Sequence, residues 1–298
     1  MIRSWNGLPS PLGRRRGAHG HNSGGRRSGS ALVEFALVSF VLYVLVAGGI
    51  ELARMVFVAQ ALNDAARVAA REMSLSTAAT FEVALSQVFD ETQLVIASTT
   101  PGECDFDGAT NNLRLVNRAL LPLMIVDRVP VAGGGYQCFL RYPGALYQDG
   151  ATYRVGIPYV PPRADPAVER IQWRPVIEQI PHAGGDAYGN GIAGVIINYP
   201  FQAAGLSSFQ PSTDGPLEPN MGNVNIASDD DVEVDPASAA NAPAGAPVDS
   251  PAGPASTSVR PYAGTYGLGS QFAFAGRVVR PFRRLISGQA IYRREVIE

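Results

Sequence analysis

The sequence predicts an α+β chain: a long N-terminal helix, transmembrane in its first half and amphipathic in its second, followed by a β-rich extracytoplasmic domain. Three observations predict it. Residues 31–50 carry a single charge, Glu34. Residues 51–73 contain no Pro or Gly, and Leu52, Val56, Ala59, Leu62, Ala66 and Ala69 recur there at spacings of three and four, the period of an amphipathic helix. From Pro101 onward, short alternating or β-branched runs are set apart by Gly and Pro clusters, the pattern of strands and turns.

The chain has 298 residues, 46% of them apolar, enough for a sizeable core and one or two domains. Its net charge of −2 hides an asymmetry. Residues 1–29 hold six Arg (Arg3, Arg14, Arg15, Arg16, Arg26 and Arg27) and no acid, so they carry +6 and the remainder −8; there is no Lys. This leader is rich in Gly, Ser, Arg and Pro without apolar periodicity, which reads as disorder. A basic tail serves either nucleic acid or the cytoplasmic side of a membrane. The apolar run follows the last leader Arg within a few residues, and the acidic remainder shows no aromatic-rich basic patch. Membrane targeting is therefore expected, and nucleic-acid binding is not.

At about 1.5 Å per residue, Ala31–Ile50 matches a bilayer hydrocarbon core of about 30 Å. Gly48 and Gly49 weaken this stretch, but Gly is tolerated in membrane helices. With the amphipathic continuation, one helix extends roughly 65 Å from about Ser30 to Met73. Glu51 and Arg54, one turn apart, mark its outer membrane–water boundary, and Asp64 with Arg67 belongs to a solvated face. The positive-inside rule places the following domain outside the cytoplasm.

Ser76 or Thr77 is the candidate cap of a second helix reaching about Leu94, with Phe81, Val83, Ala84, Val88 and Leu94 as its packing face. Strand candidates are residues 112–120, 123–131, 136–142, 152–160 and 192–201. Residues 163–173 read as a short helix, with Asp165 as cap and Pro166 at its first position. Residues 228–264, filled with Ala, Pro, Ser and acids, read as extended and flexible. The expected organisation is a basic cytoplasmic leader (1–29), the long helix (30–73), an α+β extracytoplasmic domain (74–227), a flexible insert (228–264) and C-terminal strands that rejoin the domain (265–298).

The sequence is poor in chemistry. His19 and His21 lie in the leader, leaving His182 alone in the distal part. There is no HExxH, paired CxxC, GxxxxGK or GxSxG pattern. The acidic spots at 105–107 and 228–231 lack the spacing of a calcium loop and read as solvated turns. No cofactor or metal is expected, and the enzymatic alternative is a Ser-His-Asp site built on His182. Cys104 and Cys138 both follow the apolar segment. In an exported domain an even count favours a disulfide over two buried thiols. The loop it closes, about 33 residues, is worth on the order of 3–4 kcal/mol in the chain-entropy model.

Glu34 remains to be explained, because a carboxylate at the centre of a membrane helix costs roughly 2.5–3.5 kcal/mol on insertion scales. The basic leader ends in Gly29, Ser30 follows, and Glu34 is the fifth residue counted from Ser30. This resembles the processing site of type IV prepilins, where a membrane aspartyl peptidase cuts after Gly and leaves Glu at the fifth mature position. "ALVEFAL" (31–37), "ELAR" (51–54) and "LNDAARVAAR" (62–71) resemble the TadE family of pseudopilins of the tight-adherence, or Flp, pilus. The likeness covers residues 26–73, with a weaker match at "VIINYPF" (195–201). The chain departs from the family in its length, its long leader and the 228–264 insert.

The resemblance implies a pilin-like subunit of the bacterial inner membrane. It would span the membrane once, with its N-terminus cytoplasmic and its C-terminal domain periplasmic or extracellular. The implied partners are a prepilin peptidase, other pilin or pseudopilin subunits, inner-membrane pilus assembly proteins and membrane lipid. It also implies that cleavage between Gly29 and Ser30 frees an amino group at Ser30, which the Glu34 carboxylate of a neighbouring subunit neutralises. Removing either member strands the other at roughly 3–5 kcal/mol. The alternatives are an uncut single-pass anchor with Glu34 near the interface, carrying an envelope-binding domain, and a secretory signal cut after Gly48 or Gly49, where no good small-x-small site appears.

Overall fold

An apolar-to-amphipathic run without proline folds as one helix, α1, over Ser28–Leu75. The computed structural model of the protein describes residues 28–100, 102–130, 135–159, 161, 170–182, 187–202, 233–248, 272–274, 277–279 and 283–294. The chain divides into two compact units, Met1–Val46 and Ala47–Glu298. The division falls inside α1, so the second half of the helix belongs to the β-rich unit.

Within that unit the buried face of α1 is Val58, Leu62, Ala65, Ala66, Ala69, Ala70 and Met73. These positions repeat at helical spacing, and five of the polar or charged residues between them, Gln60, Asp64, Arg67, Arg71 and Glu72, are exposed or only half-buried. Alanine dominates the face, which lets the helix lie close to a sheet. That sheet has strand order β13-β8-β7, with β7 at Ile177–Gln179, β8 at Ile192–Gln202 and β13 at Arg283–Arg293. β8 and β13 pair antiparallel from Ile192↔Arg293 to Gln202↔Arg283. At the crossing with α1, β13 carries Gly288. A Cβ there would sit 2.5 Å from the Leu62 carbonyl carbon and 2.7 Å from the Asn63 nitrogen, so only glycine fits without moving the helix. One residue on, the Gln289 N–H donates to Asn63 Oδ1 at 3.3 Å.

The same core takes in α2 (Phe81–Val88), α4 (Leu115–Leu120) and β5 (Thr152–Tyr159) through Phe81, Ala84, Val116, Leu120, Val155 and Ile157. The short helix α3 spans Asp107–Thr110. A three-stranded antiparallel sheet follows the order β1-β3-β2, at Val95–Ala97, Tyr136–Arg141 and Ile125–Pro130. A five-stranded sheet follows β10-β4-β5-β6-β9, with β4 at Ala145–Asp149, β6 at Arg170–Arg174, β9 at Glu233–Val234 and β10 at Ala246–Val248. The hairpin strands β11 and β12 are Phe272–Phe274 and Arg277–Val279.

Asn198 and Tyr142, both buried, are hydrogen-bonded, as a low-dielectric interior favours. Asn198, on β8, has its side chain bonded on both sides: Nδ2 donates to Pro175 O and Glu178 Oε1, each at 3.0 Å, and Oδ1 accepts from Ser287 Oγ at 2.7 Å. The Tyr142 hydroxyl donates to Asn198 O at 2.9 Å. Burial, aided by the charge of Tyr199, pushes the Tyr142 phenol well above its ordinary pKa.

Four local expectations change. The second helix begins at Phe81, where Thr80 Oγ1 accepts from the Val83 N–H at 3.4 Å. It ends at Val88, and a 3₁₀ turn over Glu91–Leu94 follows; Ser76 Oγ instead accepts from the Ala78 N–H in the preceding turn. Residues 115–120 are helical, not strand, and their buried Asn117 bonds both backbone groups of Asp90. Arg170–Trp173 belongs to strand β6, not a helix; Asp165 and Pro166 lie outside the described residues. Finally, the flexible reading of 228–264 does not hold for 233–248, which places β9 beside β6 and β10 beside β4. Pro243 of this segment packs directly on Gly156 of β5, where a Cβ would stand 2.7 Å from its Cδ.

Candidate functional site

The sequence directs attention to the start of α1, and the helix fixes the geometry there. Gly29 and Ser30 lie in its first turn, and Glu34 follows one full turn after Ser30. Positions four apart stack along one helix face, so the proposed cleavage point and the carboxylate share an edge of the helix. Glu34 itself is exposed.

Around it the helix is an apolar cylinder. Leu32, Phe35, Leu42 and Leu45 are between 60% and 71% exposed. The stretch is long and apolar enough to cross a membrane, and none of its most apolar 18-residue window is buried. Exposed contiguous apolar surface of this kind marks a lipid or protein contact, not a surface left to water. Ala47, Gly48 and Gly49 add a small-residue step; a Cβ on either glycine would meet nothing within 4 Å. Another helix could approach closely there.

At the far end of this surface, Arg54 Nη1 lies 3.3 Å from Glu51 Oε1. Its guanidinium also sits 5.6 Å from the centroid of the Phe201 ring, which is buried at the end of β8. The ion pair is half-exposed and adds little stability, whereas the ring contact ties the helix to the sheet. Exposed apolar residues also occur beside and beyond this pair: Leu52, Val56 and Phe57 are 62%, 47% and 54% exposed. Leu52 and Val56 share the helical spacing of Leu62, Ala66 and Ala69. In the structure the buried face begins at Val58.

The remaining candidates are scattered. Cys104 and Cys138 are joined in a disulfide with their Cα atoms 5.2 Å apart. His182 is exposed. Asp105 turns inward on its own loop, with Oδ1 accepting from the Asp107 N–H at 3.0 Å; residues 228–231 lie outside the described residues. Among the described residues no cluster of three or more His, Cys, Asp and Glu could hold a metal.

Sequence reasoning missed Arg294, which closes the other end of α1. Its Nη2 donates to Ser76 O at 3.3 Å and Ala78 O at 2.8 Å, and Nη1 donates to Tyr188 O at 3.0 Å. Its guanidinium stacks 4.0 Å from the Tyr188 ring centroid, and the Tyr188 hydroxyl donates to Met73 O at 2.9 Å. Two side chains distant in sequence thus donate to carbonyls at and beyond the helix C-terminus, where the intrahelical bonds run out. No sequence motif signals such a clamp.

Residues 29–71 match the family model described as TadE-like protein. No curated protein and no solved structure matches the chain. The matched segment begins at the glycine of the expected cleavage site and ends within the last turns of α1. Over residues 29–71 the chain is similar to the TadE-like family, and the strands that follow α1 lie outside the matched segment.

Proposed function

We propose that this chain is a TadE-like pseudopilin, a minor subunit or assembly factor of a tight-adherence pilus, whose precursor a prepilin peptidase cuts between Gly29 and Ser30. Its role is structural and not catalytic. The observation that carries the reading is the match over 29–71, which lies on the helix whose apolar half is exposed along its length.

The mechanism follows from charge. The uncut leader carries +6, which holds the N-terminus at the cytoplasmic face. Cleavage removes that charge and leaves one ammonium at Ser30. In a neighbouring subunit Glu34 supplies the counter-charge, so two groups costly in hydrocarbon offset each other. The small step at Ala47–Gly49 lets adjacent helices approach. The disulfide-bonded body is then held outside the cytoplasm, in an oxidising compartment where such bridges persist.

Glu34→Ala tests the pairing. The variant inserts into the membrane at normal levels, since it loses a charge from the apolar run, but piliation is lost. Unchanged piliation would remove the pairing role from Glu34.

A further inference from the structure

The five-stranded sheet has a second, smaller apolar cluster, separate from the main core: Ala145, Tyr147, Ile171 and Trp173, all at most 5% exposed. Tyr147 and Trp173 meet edge to face with centroids 5.6 Å apart. Residues 233–248 cover this face. They pair with both edges of the sheet: β9 runs parallel to β6, and β10 runs antiparallel to β4. Between these ends, Ala242 packs on the cluster. The Asp235 N–H donates to Ile171 O at 2.9 Å, and the Trp173 N–H donates to Ser238 Oγ at 3.3 Å.

The seat is shaped for this segment. A Cβ on Gly156 would stand 2.7 Å from Pro243 Cδ, and one on Gly245 would stand 2.3 Å from Gln148 O. Gly245 also holds a φ of 111°, which favours glycine. Yet its strand-paired stretches are only two and three residues long. Its connections to its neighbours in the chain are long: residues 203–232 separate it from β8, and residues 249–271 separate it from β11.

From this we infer that residues 233–248 are an exchangeable strap: the groove over Tyr147 and Trp173 takes the strap of a second copy of this chain as well as its own. The two connections contain 30 and 23 residues, contour lengths of at most roughly 100 Å and 80 Å. Touching copies of a domain this size hold equivalent grooves roughly 40–50 Å apart, within that reach. Every contact made within one chain is remade between two, the usual basis of strand exchange. The apolar cluster stays covered in either arrangement. Strand exchange would join the outer bodies of neighbouring subunits without a new interface, and it requires neither Glu34 nor cleavage at Gly29.

The test uses full-length chain in membranes, co-expressed as two differently tagged copies, one carrying Gln148→Cys and the other Ala246→Cys. These positions are register partners in the β4–β10 pair, close enough for a disulfide after small adjustment. Exchange predicts a disulfide-linked pair bearing both tags. Adding Gly156→Val to both copies blocks the Pro243 seat and reduces that species at least fivefold. Absence of the two-tag species, while Gln148→Cys/Ala246→Cys in one chain closes within the chain, overturns the inference. So does a two-tag species that Gly156→Val leaves unchanged, because it then arises from collision and not from the seated strap.

Discussion

The two halves of α1 differ in what they present to their surroundings. Both are apolar and helical, but the first presents Leu, Val and Phe outward on all sides, whereas the second confines its burial to one stripe. That stripe is made mostly of Ala against a sheet whose glycine lets the backbones approach. The first half is built for a surrounding that is apolar everywhere, and the second for a single partner of fixed shape. Side-chain volume as well as charge therefore separates the exposed apolar half from the half that holds the body.

Truncating one leucine in each half is the strongest way to expose this difference. Leu62→Ala, at a site with no exposure, costs the body about 2–5 kcal/mol. Leu42→Ala, at a site 60% exposed, changes body stability by less than about 0.5 kcal/mol. Urea unfolding of the detergent-solubilised chain, followed through the buried Trp173, measures both, and similar losses would show that the first half is also packed.

Gly288→Val examines the close approach itself. Its added side chain meets the backbone of Leu62 and Asn63, which must yield at a cost of about 1–3 kcal/mol. The same substitution at Gly48, with nothing within 4 Å, leaves the unfolding midpoint in place. Equal effects at the two glycines would contradict the assigned sides of the helix.

The smallest effect is confined to the body. Tyr142 is buried with its phenol pKa raised, so the unfolded chain ionises first. Its contribution is complete below the unfolded value of about 10 and declines as pH rises above it toward the folded pKa. Tyr142→Phe costs on the order of 1 kcal/mol near neutrality, through the lost bond to Asn198 O, and makes the alkaline decline shallower. An unaltered alkaline limb in the variant would place the pH sensitivity elsewhere.

Much of the helix was legible in the sequence, because the absence of proline and one continuous apolar-to-amphipathic pattern leave few alternatives. The general α+β division was legible too, since Gly and Pro clusters interrupt runs such as Tyr136–Tyr142 and Ile192–Phe201. The body's packing stripe was only half legible. Leu62, Ala66 and Ala69 fit it, but Leu52 and Val56 share the same period, and periodicity cannot say where a sheet begins to cover a helix. Leu115–Leu120 alternates like a strand, yet it is held as a helix by an Asn117 contact made 27 residues away. The strap resembles a linker by composition, and the groove that orders it is assembled from strands distant in sequence. Arg294 and Gly288 act on α1 from the far end of the chain, where no local pattern could reveal their role.

The first residue of the chain recovered from the membranes in which it works tests the central claim most directly. N-terminal sequencing is expected to find Ser30, with Glu34 fifth, and to find Met1 retained when Gly29 is replaced by a bulkier residue. Met1 as the first residue of the mature protein would contradict the account and leave an uncut, single-pass anchored domain in its place.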